Sequence, residues 1–168
     1  MIRSPAWPLL VVVMLAAGCS GAHAPAARSS TMPSSTAAAA AQRRELAARY
    51  LAIATVGNRG LDVLDQLAGR DHDDLVAART DLRDASATEH RFDRSLLAIA
   101  FPPAIEATVR ALVRVNESRA TLTTEAAASA SLQQLFRYEQ QLSTANGAVE
   151  QQVKTLRTEL GLPPPETS

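Results

Sequence analysis

The chain has 168 residues, and its 17 basic side chains balance its 17 acidic ones to give a formal net charge of zero. This balance argues against nucleic acid as a partner, because proteins that bind it carry an excess of basic charge. Cys19 is the single cysteine, which excludes disulfides within the chain and metal sites built from several thiolates.

The first 18 residues have the pattern of an export signal. Arg3 precedes an uninterrupted apolar run from Leu9 to Ala17, and the small residue Gly18 follows it. A charged start, a short apolar region and small residues at the end are typical of a cleaved signal peptide. The run is too short to cross a hydrocarbon core, which needs about 20 helical residues. We therefore predict a signal peptide over residues 1–18.

The end of this signal, Leu15-Ala16-Ala17-Gly18-Cys19, resembles the lipobox of bacterial lipoproteins. The leucine lies one position earlier than is usual there. The resemblance implies cleavage after Gly18 and a diacylglyceryl lipid on the Cys19 thiol, with no other cofactor. Two acyl chains are enough for stable anchoring, so the protein would be held at the extracytoplasmic face of the cell membrane. The alternative is an ordinary signal peptide followed by an incidental free cysteine.

Residues 19–36 are rich in serine, alanine, glycine and proline, with almost no large apolar side chains. Such a segment cannot bury enough surface to offset the entropy of ordering it. We interpret it as a flexible tether that would hold the following domain roughly 20–25 Å from the membrane surface.

From Ala37 onward, apolar residues recur at spacings of three and four, the pattern of amphipathic helices. No segment shows the sustained alternation of apolar and polar residues that is typical of a β-strand. We predict an all-α fold, an antiparallel up-down-up-down four-helix bundle over 37–161, because the connections are short. The predicted helices cover residues 37–68, 72–100, 103–127 and 131–160, and a proline-rich tail follows at 162–168.

Several residues at the predicted helix ends support these boundaries. They are Ser35 or Thr36 as the first cap, Gly69 as a left-handed C-cap, Asp71, Asp73 and Asp74 opening the second helix, Pro103 opening the third, Ser131 with Gln134 as a capping box, and Gly161 as the final stop. Asn146-Gly147 is a turn-like dipeptide, but the apolar register passes through it without a shift. We therefore predict one continuous last helix with a weak point at Gly147.

Four polar residues occupy positions where the register requires an apolar side chain: Glu89, Asn116, Glu139 and Asn146. We expect Glu89 and Asn116 at similar heights in the bundle, and Glu139 within about one helical turn of that level. Arg119 should reach the same region. Buried polar groups need hydrogen-bond partners or water. They would form either an interior pocket that holds a ligand or ion, or a layer that only specifies helix register or a seam open to solvent. We favour the register-specifying layer or the open seam over the pocket.

Interior carboxylates in a helical bundle invite comparison with ferritin-like di-metal proteins, but the required Glu-x-x-His motif is absent. His90 directly follows Glu89, so their side chains point in different directions on a helix. The run Asp71-His72-Asp73-Asp74 could ligate a metal, although capping of a helix start explains it more simply. Gly57 and Gly60 lie on the seam of the first helix, where they allow either close helix packing or a concavity beside Asn58.

No nucleophile elbow, phosphate-binding glycine loop or metalloprotease motif is present, and we predict no catalysis. The leading hypothesis is a lipid-anchored module that binds a protein partner at the cell envelope. The alternative is a carrier that holds a small or apolar ligand between its helices. An envelope enzyme built on Glu89, Asn116 and Glu139 is a third, weaker hypothesis.

Overall fold

The computed structural model describes residues 35–70 and 73–165, with side chains for all of these except 63–70. Four α-helices make up this part of the chain: α1 (Ser35–Arg70), α2 (Leu75–Leu97), α3 (Pro103–Ala127) and α4 (Leu132–Glu159). The described residues contain no strand. The prediction of an all-α, four-helix domain is confirmed. The signal peptide, Cys19, the tether up to residue 34, Asp71, His72 and residues 166–168 lie outside the described residues.

Side chains that cap backbone amides fix the starts of two helices. The Asp74 carboxylate accepts hydrogen bonds from the amides of Val76 (2.8 Å) and Ala77 (3.1 Å). The Ser131 hydroxyl accepts one from the amide of Gln134 at 3.2 Å. The Gln134 side chain in turn accepts from the amide of Ala130 at 2.9 Å. These caps satisfy amides that have no partner within the helix.

Both ends of α1 and both ends of α2 differ from the predicted boundaries by two or three residues. α1 begins at Ser35 rather than after a cap at Ser35 or Thr36, and it continues through Gly69 to Arg70. Glycine adopts right-handed helical geometry as well as left-handed geometry, so its presence does not force a helix to end. α2 is shorter than the predicted 72–100, because Asp74 occupies the N-cap and Ala98 the C-cap.

α4 passes through Asn146 and Gly147 as one helix. It ends at Glu159 with Leu160 as its C-cap, and Gly161 follows with a φ of 71°, a left-handed conformation that glycine adopts without strain. The amide of Gly161 donates a hydrogen bond to the Thr158 carbonyl, and the amide of Leu162 donates one to the Arg157 carbonyl. This is the Schellman arrangement, and it turns the chain back toward the bundle.

Close backbone packing joins α1 to α2, α2 to α3 and α3 to α4, whereas α1 and α4 are less closely packed. In each pair, residue numbers rise on one helix as they fall on the next, as in helices that run in opposite directions. The contacting pairs are Gly57 with Phe92, Gly60 with Thr88, Arg79 with Ala127, Asn116 with Asp93, Thr108 with Glu159, and Arg119 with Asn146.

The apolar core is divided into two clusters. The first core lies at the end where α1 and α3 begin, and contains Leu46, Ala47, Tyr50, Leu96, Ile105, Val109, Leu112, Leu156 and Leu160. The second core lies toward the other end and contains Ala78, Ala126, Leu135 and Leu142. Each fully buried leucine stabilises the fold by about 1.5–3 kcal/mol, so both clusters contribute substantially. No described helix is long and apolar enough to span a membrane.

Candidate functional site

A polar layer separates the two cores, and it consists of Glu89, Asp93, Asn116, Arg119 and Asn146. Glu89 and Asp93 come from α2, Asn116 and Arg119 from α3, and Asn146 from α4. Glu89, Asp93 and Asn116 are almost completely buried. Seam positions that break the apolar register are therefore brought together in the middle of the bundle.

The Arg119 guanidinium connects three helices within this layer. Its Nε and Nη2 donate to Glu89 Oε1 at 3.2 and 2.5 Å, and its Nη1 donates to Asn146 Oδ1 at 3.0 Å. The side chains of Arg119 and Glu89 are 13% and 3% exposed. A planar guanidinium presents its donors in a rigid fork, so it fixes the relative positions of α2, α3 and α4 at this height.

Asp93 and Asn116 form the second half of the layer. Asn116 Nδ2 donates to Asp93 Oδ1 at 3.0 Å. Burial raises the pKa of Asp93 from 3.8 to about 6, although the hydrogen bond from Asn116 opposes this rise. The Glu117 and Glu89 carboxylates raise that pKa further, and nearby His90 lowers it. Nothing in the apolar register singles out Asp93, which is why the sequence did not predict it.

Two carboxylate oxygens of the layer are buried without a hydrogen-bond partner. They are Glu89 Oε2 and Asp93 Oδ2. Most buried polar groups in proteins have a partner, so each exception requires a physical explanation. An unpaired buried acceptor costs about 1–3 kcal/mol, and more when it is charged. The layer therefore retains hydrogen-bonding capacity toward a group that comes from outside the described residues.

A cavity of about 120 Å³ extends from the polar layer toward the first core, and both α1 and α4 line it. Its wall is mainly apolar, and the apolar side includes Ala54, Leu61, Phe92, Val149 and Val153. Its lining also includes four residues of the polar layer: Glu89, Asn116, Arg119 and Asn146. The cavity thus joins an apolar wall to a buried set of charged and amide groups.

The other end of the cavity is formed by Tyr50, Arg157 and Pro165. Arg157 is 5% exposed, and its Nε donates to the Pro163 carbonyl at 2.6 Å. Burial raises the pKa of Tyr50, and the adjacent Arg157 partly offsets this effect. The segment 162–165 therefore folds back onto the bundle, with Leu162 against the first core and Pro165 buried.

Glu139 does not join the polar layer. It is partly buried, and this burial raises its pKa. Among the described residues, it makes no side-chain hydrogen bond or ion pair. Seven residues separate Glu139 from Asn146, a distance of about 10 Å along the helix axis at 1.5 Å per residue. The prediction that Glu139 lies within about one turn of the level of Glu89 and Asn116 is therefore wrong, because about two turns separate it from Asn146.

The two seam glycines of α1 have different roles. A Cβ at Gly60 would lie 3.1 Å from Thr88 Cγ2, which means that α1 and α2 pack closely there. A Cβ at Gly57 would lie 3.5 Å from Phe92 Cδ2, an ordinary contact, and Gly57 lines the cavity together with Asn58. Gly60 thus allows close helix packing, and Gly57 leaves the concavity beside Asn58.

The described residues contain no group of three or more histidine, cysteine, aspartate or glutamate side chains arranged to hold a metal ion. Asp73 and Asp74 are exposed, and Asp74 acts as the α2 cap. Asp71 and His72, the other members of the acidic run, lie outside the described part of the chain.

No family model matches the chain, and no curated protein or solved structure shows significant similarity to it. Its site must therefore be interpreted from its own geometry.

Proposed function

We propose that this protein is an envelope binding protein that carries a small amphipathic ligand in the cavity between α1 and α4. The observation that supports this function is the cavity itself, in which an apolar wall meets the buried polar layer. Ligand sites are typically concave and mostly apolar, with a few polar groups that orient the ligand. The cavity that contains Gly57 and Glu89 has this composition.

The size of the cavity limits what it can enclose. An engineered cavity of about 150 Å³ binds benzene, so about 120 Å³ is enough for one small ring or a short alkyl group. Whole drug-sized ligands occupy roughly 300–1,000 Å³. The enclosed part of the ligand is thus a small apolar group. A larger ligand would extend outward between α1 and α4, where the helices pack least closely.

The lipobox-like sequence at Leu15–Cys19 supports a location at the extracytoplasmic face of the membrane. A tethered domain near a lipid surface is well placed to receive an amphipathic molecule. The function proposed here therefore combines the anchor with the cavity.

The partner-binding hypothesis has weaker support. The large apolar side chains that are most exposed are Val56, Val76, Leu97 and Phe136. Val76 and Leu97 lie near opposite ends of α2, about 30 Å apart at 1.5 Å per residue, so the four side chains do not form the contiguous apolar patch that a docking surface requires. The cavity therefore favours the carrier hypothesis over a protein-interaction module.

Ligand binding can be tested with benzyl alcohol, whose ring fits the cavity. NMR titration of the detergent-solubilised, full-length mature protein should shift the amide signals of Ala54, Gly57 and Val149. Ala54→Leu should weaken binding because it adds volume to the cavity wall. Ala52→Leu is the matched control, since Ala52 is exposed on the same helix. Equal binding by the two variants, or no shift at all, would contradict the proposed site.

The anchor has a separate test. Cys19→Ala should release the protein from the membrane or block removal of the signal, as membrane fractionation and mass spectrometry would show. Unchanged processing and retention would refute the lipid anchor without bearing on the cavity. Native mass spectrometry of the protein purified from its own membrane would report both the lipid mass and any retained ligand.

A further inference from the structure

We infer that the ligand is an organic cation, an ammonium compound with a small apolar body. This inference rests on the proposed function, and it names the ligand class that the cavity takes. Three carboxylates line the cavity from three helices: Asp62 of α1, Glu89 of α2 and Glu150 of α4. Two guanidinium groups line it as well, Arg119 and Arg157.

Both guanidinium groups are already engaged with the protein. Arg119 donates from all three of its nitrogens, to Glu89 and Asn146. Arg157 is at the opposite end of the cavity, where its Nε donates to the Pro163 carbonyl and its charge lies beside Tyr50. An anionic ligand would therefore compete with existing partners for either group.

The carboxylates, in contrast, have unused acceptor capacity. Among the described residues, Asp62 and Glu150 are partly buried and take part in no side-chain hydrogen bond or ion pair. Glu89 is 4% exposed, and its Oε2 has no partner although Oε1 is bound to Arg119. This buried oxygen can accept a further hydrogen bond, and buried polar groups in proteins usually have a partner.

An ammonium group matches this arrangement chemically. It carries three donors and no acceptor, whereas an ionised carboxylate only accepts hydrogen bonds. Its positive charge also offsets the excess of negative charge left after Arg119 pairs with Glu89. Phe92 also lines the cavity, and an aromatic ring attracts a cation placed over its face. An apolar body attached to the ammonium would occupy the side of the cavity formed by Val149 and Val153.

A matched series of three probes tests the inference: benzylammonium, benzyl alcohol and benzoate. They share one ring and differ in the charge of the group attached to it. We expect the full-length mature protein to bind benzylammonium about tenfold or more tightly than benzyl alcohol, and benzoate most weakly. Equal affinity for all three would overturn the cation inference and leave the proposed carrier function in place. Failure of all three to bind would overturn both.

Variants identify the carboxylates responsible. Asp62→Asn combined with Glu150→Gln should weaken benzylammonium binding about tenfold and leave benzyl alcohol binding unchanged. Glu125→Gln is the control, because Glu125 is exposed on α3 and does not line the cavity. Both altered carboxylates are partly exposed and unpaired, so these variants should fold, which an unchanged melting temperature would verify. An unchanged affinity for benzylammonium in the folded double variant would refute the inference.

Discussion

Arg119 and Glu89 form an ion pair in the interior of the bundle, with Nη2 and Oε1 2.5 Å apart and both side chains largely buried. The pair lies between two apolar cores, at the height where α1 and α4 leave a cavity. A buried pair is weak evidence for stability, because its desolvation cost can exceed the attraction between the charges. Its position next to a cavity is better explained by ligand binding or by helix register.

Replacement of Glu89 should show how strongly the two charges depend on each other. Glu89→Leu alone should destabilise the fold by about 3–5 kcal/mol, since it leaves the Arg119 charge buried without its partner. The double variant Glu89→Leu/Arg119→Met should recover this loss and can exceed the native stability by about 1–4 kcal/mol. Urea unfolding at neutral pH measures both changes.

The double variant also separates the two explanations of the polar layer. If it gains stability and loses ligand binding, the layer serves the ligand at the expense of the fold. A gain in stability from Glu89→Leu alone, with any bound species retained, would mean that neither Arg119 nor the cavity depends on Glu89.

Asp93 should make stability depend on pH between about 4 and 6. Its pKa is raised to about 6 in the folded protein, against 3.8 for the ordinary side chain. The folded state therefore binds the proton more tightly than the unfolded state does, and the stability that this provides is fully present below pH 4. It is lost as the pH rises through 6, and the two values correspond to a loss of at most about 3 kcal/mol.

The test of this pH dependence is a comparison with Asp93→Asn. Stability of the variant should fall less as the pH rises from 4 to 6, because the asparagine side chain does not titrate. Urea unfolding at a series of pH values between 4 and 7 would measure the difference. Parallel curves for the two proteins would show that Asp93 has an ordinary pKa in the folded state.

The C-terminal segment should stabilise the bundle through Arg157. A chain that ends at Leu162 loses the Pro163 carbonyl, which accepts from Arg157 Nε at 2.6 Å, and the buried Pro165. We expect a loss of about 1–3 kcal/mol, the usual cost of leaving a buried polar group unpaired. A chain that ends at Pro165 is the control and should retain native stability. If the two truncated chains unfold at the same urea concentration, the segment 163–165 contributes nothing.

The change in stability caused by replacing a glycine with alanine should depend on the space around that glycine. Nothing lies within 4 Å of a Cβ at Gly147, so Gly147→Ala should stabilise α4 by about 0.5–1 kcal/mol. Gly57→Ala should gain a similar amount, because its new contact with Phe92 is an ordinary one.

Gly60→Ala should gain least or lose stability. Its Cβ would lie 3.1 Å from Thr88 Cγ2. Thr88 cannot move easily, since its hydroxyl donates to the Asp84 carbonyl and accepts from Arg91. Thermal unfolding of the three variants would establish the order, and a Gly60→Ala variant as stable as Gly147→Ala would contradict it.

The helices could be predicted from the sequence because their signals are local. The spacing of apolar residues, the Asp74 and Ser131 caps, and the proline at the start of α3 act within a few residues of the chain. The same register indicated that Glu89, Asn116 and Asn146 interrupt an apolar seam. Asp93 was not predicted because the three-and-four spacing of the seam residues does not include its position, although it is 1% exposed in the folded protein.

Only the tertiary structure decided which of these groups meet and where space remains. Arg119 pairs with Glu89 and Asn146, whereas Glu139 stays apart, because the pairing depends on how far the helices are shifted along each other. The cavity likewise depends on the separation of α1 from α4 and on the return of Pro165 over its end. Periodicity determines the face that a helix buries, but side-chain packing between helices determines their offset and spacing.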